Sequence, residues 1–306
     1  MSNPWKRLID AGLVRAGVNL AGLTTYKLGG PAAYFVEANE VSTLAAAAEA
    51  LAAVPLPVLV LGRGSNLVIA DDGFLGVVIR LGRPFSSIEV GKLIRAGGAA
   101  GMPQVARAAA AVARRGVEFM IGIPGTVGGG VRQNAGCFGK EIVDVLESAE
   151  IFDLANSEQI SVRPPDLDMS YRQTNLRGSQ IVLSARFETE AGDGEAGAEL
   201  IREITRWRRV HQPGGTLNAG SVFKNPAGDT AGRIIDSLGL KGIAVGGASV
   251  SDKHANFFVA KPGTRAIDVY LLVQKVREMV RARTGIELEP EIQFAGQFDA
   301  RESVDD

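Results

Sequence analysis

The 306-residue sequence predicts an α+β protein of more than one domain, on three observations. Short β-branched runs alternate with Ala-rich helical stretches through about the first 120 residues. From Glu147 onward the pattern changes to strands with turn residues between them. A polar, Gly-rich stretch over 191–198 then sets off a smaller unit, which places the main domain boundary near 190–200.

Taken in order, 33–37 reads as a strand, and Ser42 is placed to cap a helix whose Leu44, Ala48 and Leu51 share a face. Residues 58–61 form a buried strand and 77–81 another. A helix is expected over 102–115, with Pro103 in its first turn, Val105, Ala109 and Val112 on one stripe, and Gly116 as its stop. Strands follow at 149–154, 159–162 and 180–189, the texture of antiparallel sheet. The smaller unit opens with a helix carrying Leu200, Ile201, Ile204 and Trp207. It continues with a helix over 229–239, a strand at 255–259 and a long helix over 266–284 with Ile267, Leu271 and Val276 inward.

Composition narrows the chemistry. Lys and Arg total 33 against 34 Asp and Glu, so a net charge of −1 gives no general attraction to nucleic acid or anionic membrane, and any anionic ligand must be held locally. One cysteine, Cys137, excludes an intrachain disulfide framework and a Cys-based zinc cluster and points to a reducing compartment. The N-terminal MSNPWKRLID has no signal-peptide apolar region, and the expected location is cytoplasmic, without membrane insertion. No metal site is expected, because two histidines leave little material for one or for a His-based triad.

The common site motifs fail in turn. Gly91-Lys92 is followed by Leu93 and Gly139-Lys140 by Glu141, so the P-loop pattern is absent. Gly62-Arg63-Gly64 follows a strand, but position six is Leu67 and no acidic residue stands near Gly82, which argues against a Rossmann site. There is no G-x-S-x-G and no H-E-x-x-H. What remains is glycine in clusters: Leu28-Gly29-Gly30, Gly62-Arg63-Gly64-Ser65-Asn66-Leu67, and 122–130 with Pro124, Gly125, Thr126, Gly128 and Gly129. One such loop is a turn; three in one domain suggest a long phosphorylated ligand, with bare backbone amides aimed at a pyrophosphate and Ser65, Asn66 and Thr126 adding uncharged donors.

Seven ordered segments then carry a resemblance: TTYKLGGPAAYFVE, LGRGSNLVIAD, GVEFMIGIPGTVGGGVRQNAG, Ser170-Tyr171-Arg172, AGSVFKNP, SDKHANFFV and EPEIQ. Over about 24–296 the chain resembles the UDP-N-acetylenolpyruvoylglucosamine reductase family, in its shorter form, since only 48 residues separate Arg172 from Ser221. The resemblance implies an FAD-binding domain like that of vanillyl-alcohol oxidase relatives over 1–195, in subdomains of about 1–85 and 86–195, followed by a substrate-binding α+β domain over 196–306. It implies noncovalent FAD, NADPH as co-substrate, and reduction of the enolpyruvyl ether of UDP-N-acetylglucosamine to UDP-N-acetylmuramate. That is a step of peptidoglycan synthesis, so loss of activity would block wall building and division. A monomer is expected.

Residue by residue, the resemblance makes Arg172, Ser221 and Glu291 catalytic: a guanidinium for the substrate carboxylate, a proton donor to C2, and a carboxyl expected to have a raised pKa. It places FAD against Gly62, Arg63, Gly64, Ser65, Asn66, Leu67, Pro124, Gly125, Thr126, Gly128, Gly129, Asn134 and Gly136, and substrate against Tyr171, Lys224 and Asn225. A serine hydroxyl is a weak acid, and Lys224, three residues away, is one candidate to polarise it. The Arg206, Arg208 and Arg209 cluster reads as a solvated helix face, with the diphosphate as the sharper alternative. His254 and Cys137 are expected to pack rather than react. Leu23, Lys27, Arg132 and Phe138 depart from the family's usual Asn, Arg, Tyr and Tyr. The competing readings are an oxygen-using oxidase of the same fold and a nonenzymatic nucleotide-binding protein.

Overall fold

The computed structural model of the chain describes residues 3–298. Its contacts gather into two compact units, Met1–Ala16, Tyr34–Gly62 and Gly76–Arg208 in the first, and Gly17–Ala33, Arg63–Leu75 and Arg209–Asp306 in the second. Neither is contiguous, because two early segments group with the C-terminal residues; a boundary drawn from composition follows the chain and is blind to such exchanges.

The first unit holds two cores. In one, Trp5, Val36, Leu44, Ala47, Val77, Ile79 and Phe152 are buried together. The helix Val41–Ala53 contributes Leu44, Ala47 and Ala48 to it, and the parallel pairing of Val58–Val60 with Val77–Ile79 backs it. The other lies on a five-stranded antiparallel sheet in the order Glu158–Val162, Leu146–Asp153, Gln180–Glu188, Leu93–Gly97, Ile88–Val90. The helix Met102–Ala111 buries Met102, Val105, Ala106 and Ala109 in that core.

The second unit packs the long helix Ala266–Thr284, the short helix Ala231–Ser237 and a three-stranded sheet, Ala244–Val245, Ala248–Val250 and Phe258–Ala260, around one core. The 17–33 segment enters it through Tyr26, wholly buried, whose hydroxyl donates to Phe258 O at 2.9 Å. Asp71 caps the long helix by accepting from the amides of Ala266 and Ile267 at 2.8 and 3.1 Å, which satisfies two otherwise orphaned donors.

Several local expectations are corrected. Glu40, not Ser42, is the N-cap of the first Ala-rich helix. The helix expected over 102–115 stops at Ala111, because Ala113 takes φ +55° and Arg114–Arg115 pairs as a strand with Glu190–Ala191; Val112 is exposed. The helix expected to follow the polar stretch over 191–198 begins inside it, as Gly194–His211. In the long helix the buried stripe is Val269, Leu272, Val273, Val276 and Val280, one position off Ile267 and Leu271.

Candidate active site

In the first unit two of the predicted loops meet. A Cβ on Gly62 would lie 2.7 Å from Thr126 Oγ1, so only glycine lets the 62 loop close on the 126 loop. Thr126 caps the helix Val127–Arg132 by accepting from Gly129 N at 3.3 Å. The amides over 127–130 are all spent internally: Val127 on Ala100 O, Gly128 on Gly98 O, Gly129 on Thr126 Oγ1 and Gly130 on Thr126 O. The expected row of amides aimed at an anion is therefore not offered by these four residues; their glycines let the helix start press on 98–100. Among the described residues no three His, Cys, Asp or Glu side chains form a group that could hold a metal.

Around Arg172 the geometry is closely specified. Ser170 N donates to Gln173 O at 3.0 Å and Gln173 N to Ser170 O at 3.1 Å, closing a tight turn with Tyr171 and Arg172 at its centre. Arg172 has φ +58°, a conformation that costs a non-glycine residue about 1–3 kcal/mol and persists where the surroundings impose it. Its guanidinium donates to Glu141 Oε1 at 2.9 Å, Gly136 O at 2.7 Å and Asn134 O at 3.4 Å, and lies 4.8 Å from the centre of the Tyr171 ring. Glu141 reaches it from a hairpin, Gly136–Cys137 paired with Lys140–Glu141, whose two-residue turn Phe138-Gly139 has positive φ at both positions.

Asn134 is bonded to the Arg172 turn. It is wholly buried, and its side chain donates to Glu141 Oε2 and Ser170 O and accepts from Val143 N, all at 2.9 Å. That side-chain amide is committed within the protein.

Arg132, one of the departures from the family pattern, donates to Leu176 O, Arg177 O and Gln180 O at 3.2, 2.8 and 2.6 Å, while Thr174 Oγ1 donates to Arg132 O at 2.6 Å. Burial pulls its pKa below the usual guanidinium value. It clamps the segment that follows the Arg172 turn. Arg132→Met is expected to destabilise the protein by about 2–4 kcal/mol, because three carbonyls lose a charged donor; urea unfolding measures it.

Cys137 fills space, as expected. Its Sγ lies 3.0 Å from Phe119 O, and a Cβ on Gly122 would sit 2.6 Å from the sulfur. Burial pushes the thiol up to about 11, against a downward pull from Arg208 and Arg172. The thiol is thus protonated at neutral pH, and thiolate reactivity appears only as pH rises toward that value. Iodoacetamide at pH 8 is expected to label native protein far more slowly than urea-unfolded protein, read by intact mass. Arg208 is half-buried near Gly122, while Arg206 is exposed.

In the second unit Ser221 and Glu291 are set by neighbouring backbone. Ser221 bridges Phe257, Val222 N donates to Asn256 O at 2.9 Å, and the buried Asn256 side chain holds Phe223 at both N and O. On the other side Glu291 N donates to Val222 O at 2.8 Å and Lys224 N to Glu289 O at 2.9 Å. Asn66 ties the third element in: its Nδ2 donates to Glu291 O at 3.0 Å, and Gln293 N donates to Asn66 O at 3.0 Å, where Leu67–Ile69 starts its parallel pairing with Gln293–Ala295. Gly64 has φ +59°, and a Cβ there would lie 2.7 Å from Leu23 O.

Among the described residues nothing hydrogen-bonds the Ser221 hydroxyl. Lys224 gives its ammonium to Glu289 Oε1 at 2.6 Å, which replaces the expected polarising contact to Ser221. Asn225 Oδ1 accepts from Ala231 N at 3.1 Å, at the start of the Ala231–Ser237 helix. His254 is a packing residue: Nδ1 accepts from Asn256 N at 3.2 Å, the ring meets Phe257 edge-on, and burial lowers its pKa.

Compared with known proteins, residues 212–295 match the family model for the C-terminal domain of UDP-N-acetylenolpyruvoylglucosamine reductase, and residues 32–163 match that for an FAD-binding domain. The chain is 39% identical over 289 residues to UDP-N-acetylenolpyruvoylglucosamine reductase 2 of Symbiobacterium thermophilum, covering 94% of each chain. It is 40% identical over 281 residues to the reductase of Erythrobacter litoralis, covering 91% of this chain and 86% of that one. The crystal structure of the Thermus caldophilus reductase superimposes with a TM-score of 0.81 at 34% identity, over 92% of this chain and 100% of the other. With two family models in order and full-length relatives well above 30% identity, the chain belongs to the UDP-N-acetylenolpyruvoylglucosamine reductase family.

Proposed function

We propose that this chain is an NADPH-dependent flavoenzyme that reduces UDP-N-acetylglucosamine enolpyruvate to UDP-N-acetylmuramate, with Arg172, Ser221 and Glu291 as its catalytic residues. The family membership supports the reaction and the cofactor pair. The observation that carries the residue assignment is the contrast between an Arg172 held at φ +58° by a closed turn and a Ser221 hydroxyl left uncommitted on a fixed backbone.

When bound and reduced by NADPH, FAD would supply a hydride to C3 of the enolpyruvyl group. Gly62, Arg63, Gly64, Ser65, Asn66, Leu67, Pro124, Gly125, Thr126, Gly128, Gly129 and Gly136 are the residues assigned to hold it, Ser65 and Thr126 through hydroxyls. Negative charge develops at C2 and on the adjoining carboxylate, and the Arg172 fork binds that carboxylate as its charge grows. Ser221 delivers a proton from Oγ to C2. Glu291, proposed to carry a proton itself, donates a hydrogen bond where an ionised carboxylate would repel the enolate. Tyr171, Lys224 and Asn225 are assigned to orient the substrate. The domain division at about 195, a monomeric state, and a cytoplasmic location without nucleic-acid partners belong to the same proposal; no described helix is long and apolar enough to cross a membrane.

The test is stoichiometric. Purified protein with the enolpyruvyl substrate should consume one NADPH per substrate, without oxygen uptake, and yield a product heavier by two hydrogens. Oxygen uptake with unchanged substrate would favour the oxidase reading instead.

A further inference from the structure

Arg172 can serve a carboxylate only if its fork is aimed, and the residues that aim it lie outside the assigned catalytic set. Glu141 Oε1 takes one Nη at 2.9 Å, and the pair is largely withdrawn from solvent, the two side chains being 14% and 28% exposed. The other oxygen of Glu141 is committed too, to Asn134 Nδ2 at 2.9 Å. The same Asn134 amide group donates to Ser170 O, the carbonyl that closes the Arg172 turn, while its oxygen accepts from Val143 N two residues beyond Glu141. A single buried amide thus fixes the carboxylate, the segment bearing it and the turn bearing the guanidinium. Both bonds from Asn134 place Glu141 and Ser170 in one frame, so neither the carboxylate nor the turn that bears Arg172 can shift without breaking a hydrogen bond to this amide.

We propose that Glu141, held by Asn134, is a positioning residue for Arg172: it fixes the orientation of the guanidinium and thereby the step in which substrate is reduced. This rests on the reading of Arg172 as the residue that binds the substrate carboxylate. Glu141 touches neither substrate nor cofactor in this account and acts through Arg172 alone.

The test uses FAD-loaded enzyme and separates the two half-reactions by anaerobic stopped flow, comparing Glu141→Ala, Glu141→Gln, Arg172→Ala and the Glu141→Ala/Arg172→Ala double variant. Glu141→Ala is expected to slow flavin reoxidation by substrate roughly 10²-fold, the scale of losing near-attack alignment, while NADPH reduces the flavin at a rate within about threefold of wild type. Glu141→Gln, with the same shape and one remaining acceptor, should recover about tenfold of that loss. In the Arg172→Ala background, Glu141→Ala should cost nothing more, because the residue it serves is gone. Additive losses in the double variant, equal slowing of both half-reactions, or undiminished reoxidation in Glu141→Ala would each overturn the proposal. Undiminished reoxidation in Arg172→Ala would instead remove the reading of Arg172 on which it rests, and the proposal with it.

Discussion

Ser221→Ala is expected to leave a yellow, folded protein that NADPH bleaches normally and that substrate reoxidises roughly 10⁴-fold more slowly, the upper range for losing a general acid. The backbone around Ser221 is held by Asn256 on one side and by the 289–291 segment on the other, and neither uses the hydroxyl. Removing an oxygen that no described residue hydrogen-bonds therefore takes away a proton and little else, and stability should stay within about 0.5 kcal/mol of wild type. Ser221→Cys, which returns an acidic proton on a side chain of similar length, should regain much of the rate. Rapid-mixing absorbance of the flavin measures all three proteins. Wild-type reoxidation in Ser221→Ala would assign the proton to another group.

Arg172→Ala is the second large effect, expected at about 10²–10³-fold in the reoxidation step. Two terms combine. The substrate carboxylate loses its fork, and Glu141 and the carbonyl of Gly136 lose a partner in a partly buried setting. Arg172→Lys keeps charge without planar geometry and should recover little, since an ammonium cannot hold Glu141 and Gly136 and also meet a carboxylate in bidentate fashion. Substrate affinity and reoxidation rate should both fall, with NADPH reduction spared. A variant that loses both half-reactions equally would point to a structural collapse of the 170–173 turn.

Much of the fold was legible because it is local. The helix expected over 266–284 is Ala266–Thr284 in the structure, closed by Gly285 at φ +75°. Where reading failed, long-range contacts decided. Residues 112–115 have helical composition, yet Arg114–Arg115 pairs with Glu190–Ala191, over seventy residues on, and the helix yields to that strand. The grouping of 17–33 and 63–75 with the C-terminal residues has no compositional trace at all.

The site divides the same way. Arg172, Ser221 and Glu291, the proposed catalytic residues, stand in ordered motifs that the sequence alone displays. Glu141 was missed: its partner is 31 residues away, and one carboxylate after Gly139-Lys140 looks like a solvated turn. The signal available was Asn134 itself, a polar residue in a Gly-rich segment that needs three partners once buried. Lys224 shows the converse, since proximity in sequence suggested Ser221 and the folded chain supplies Glu289.

The most direct measurement is a single anaerobic turnover. Protein whose flavin has been bleached by one equivalent of NADPH is mixed with UDP-N-acetylglucosamine enolpyruvate, and absorbance near about 450 nm is followed. The expected result is prompt return of the oxidised flavin without oxygen, with UDP-N-acetylmuramate formed in equal amount. A flavin that stays bleached until air is admitted would contradict it.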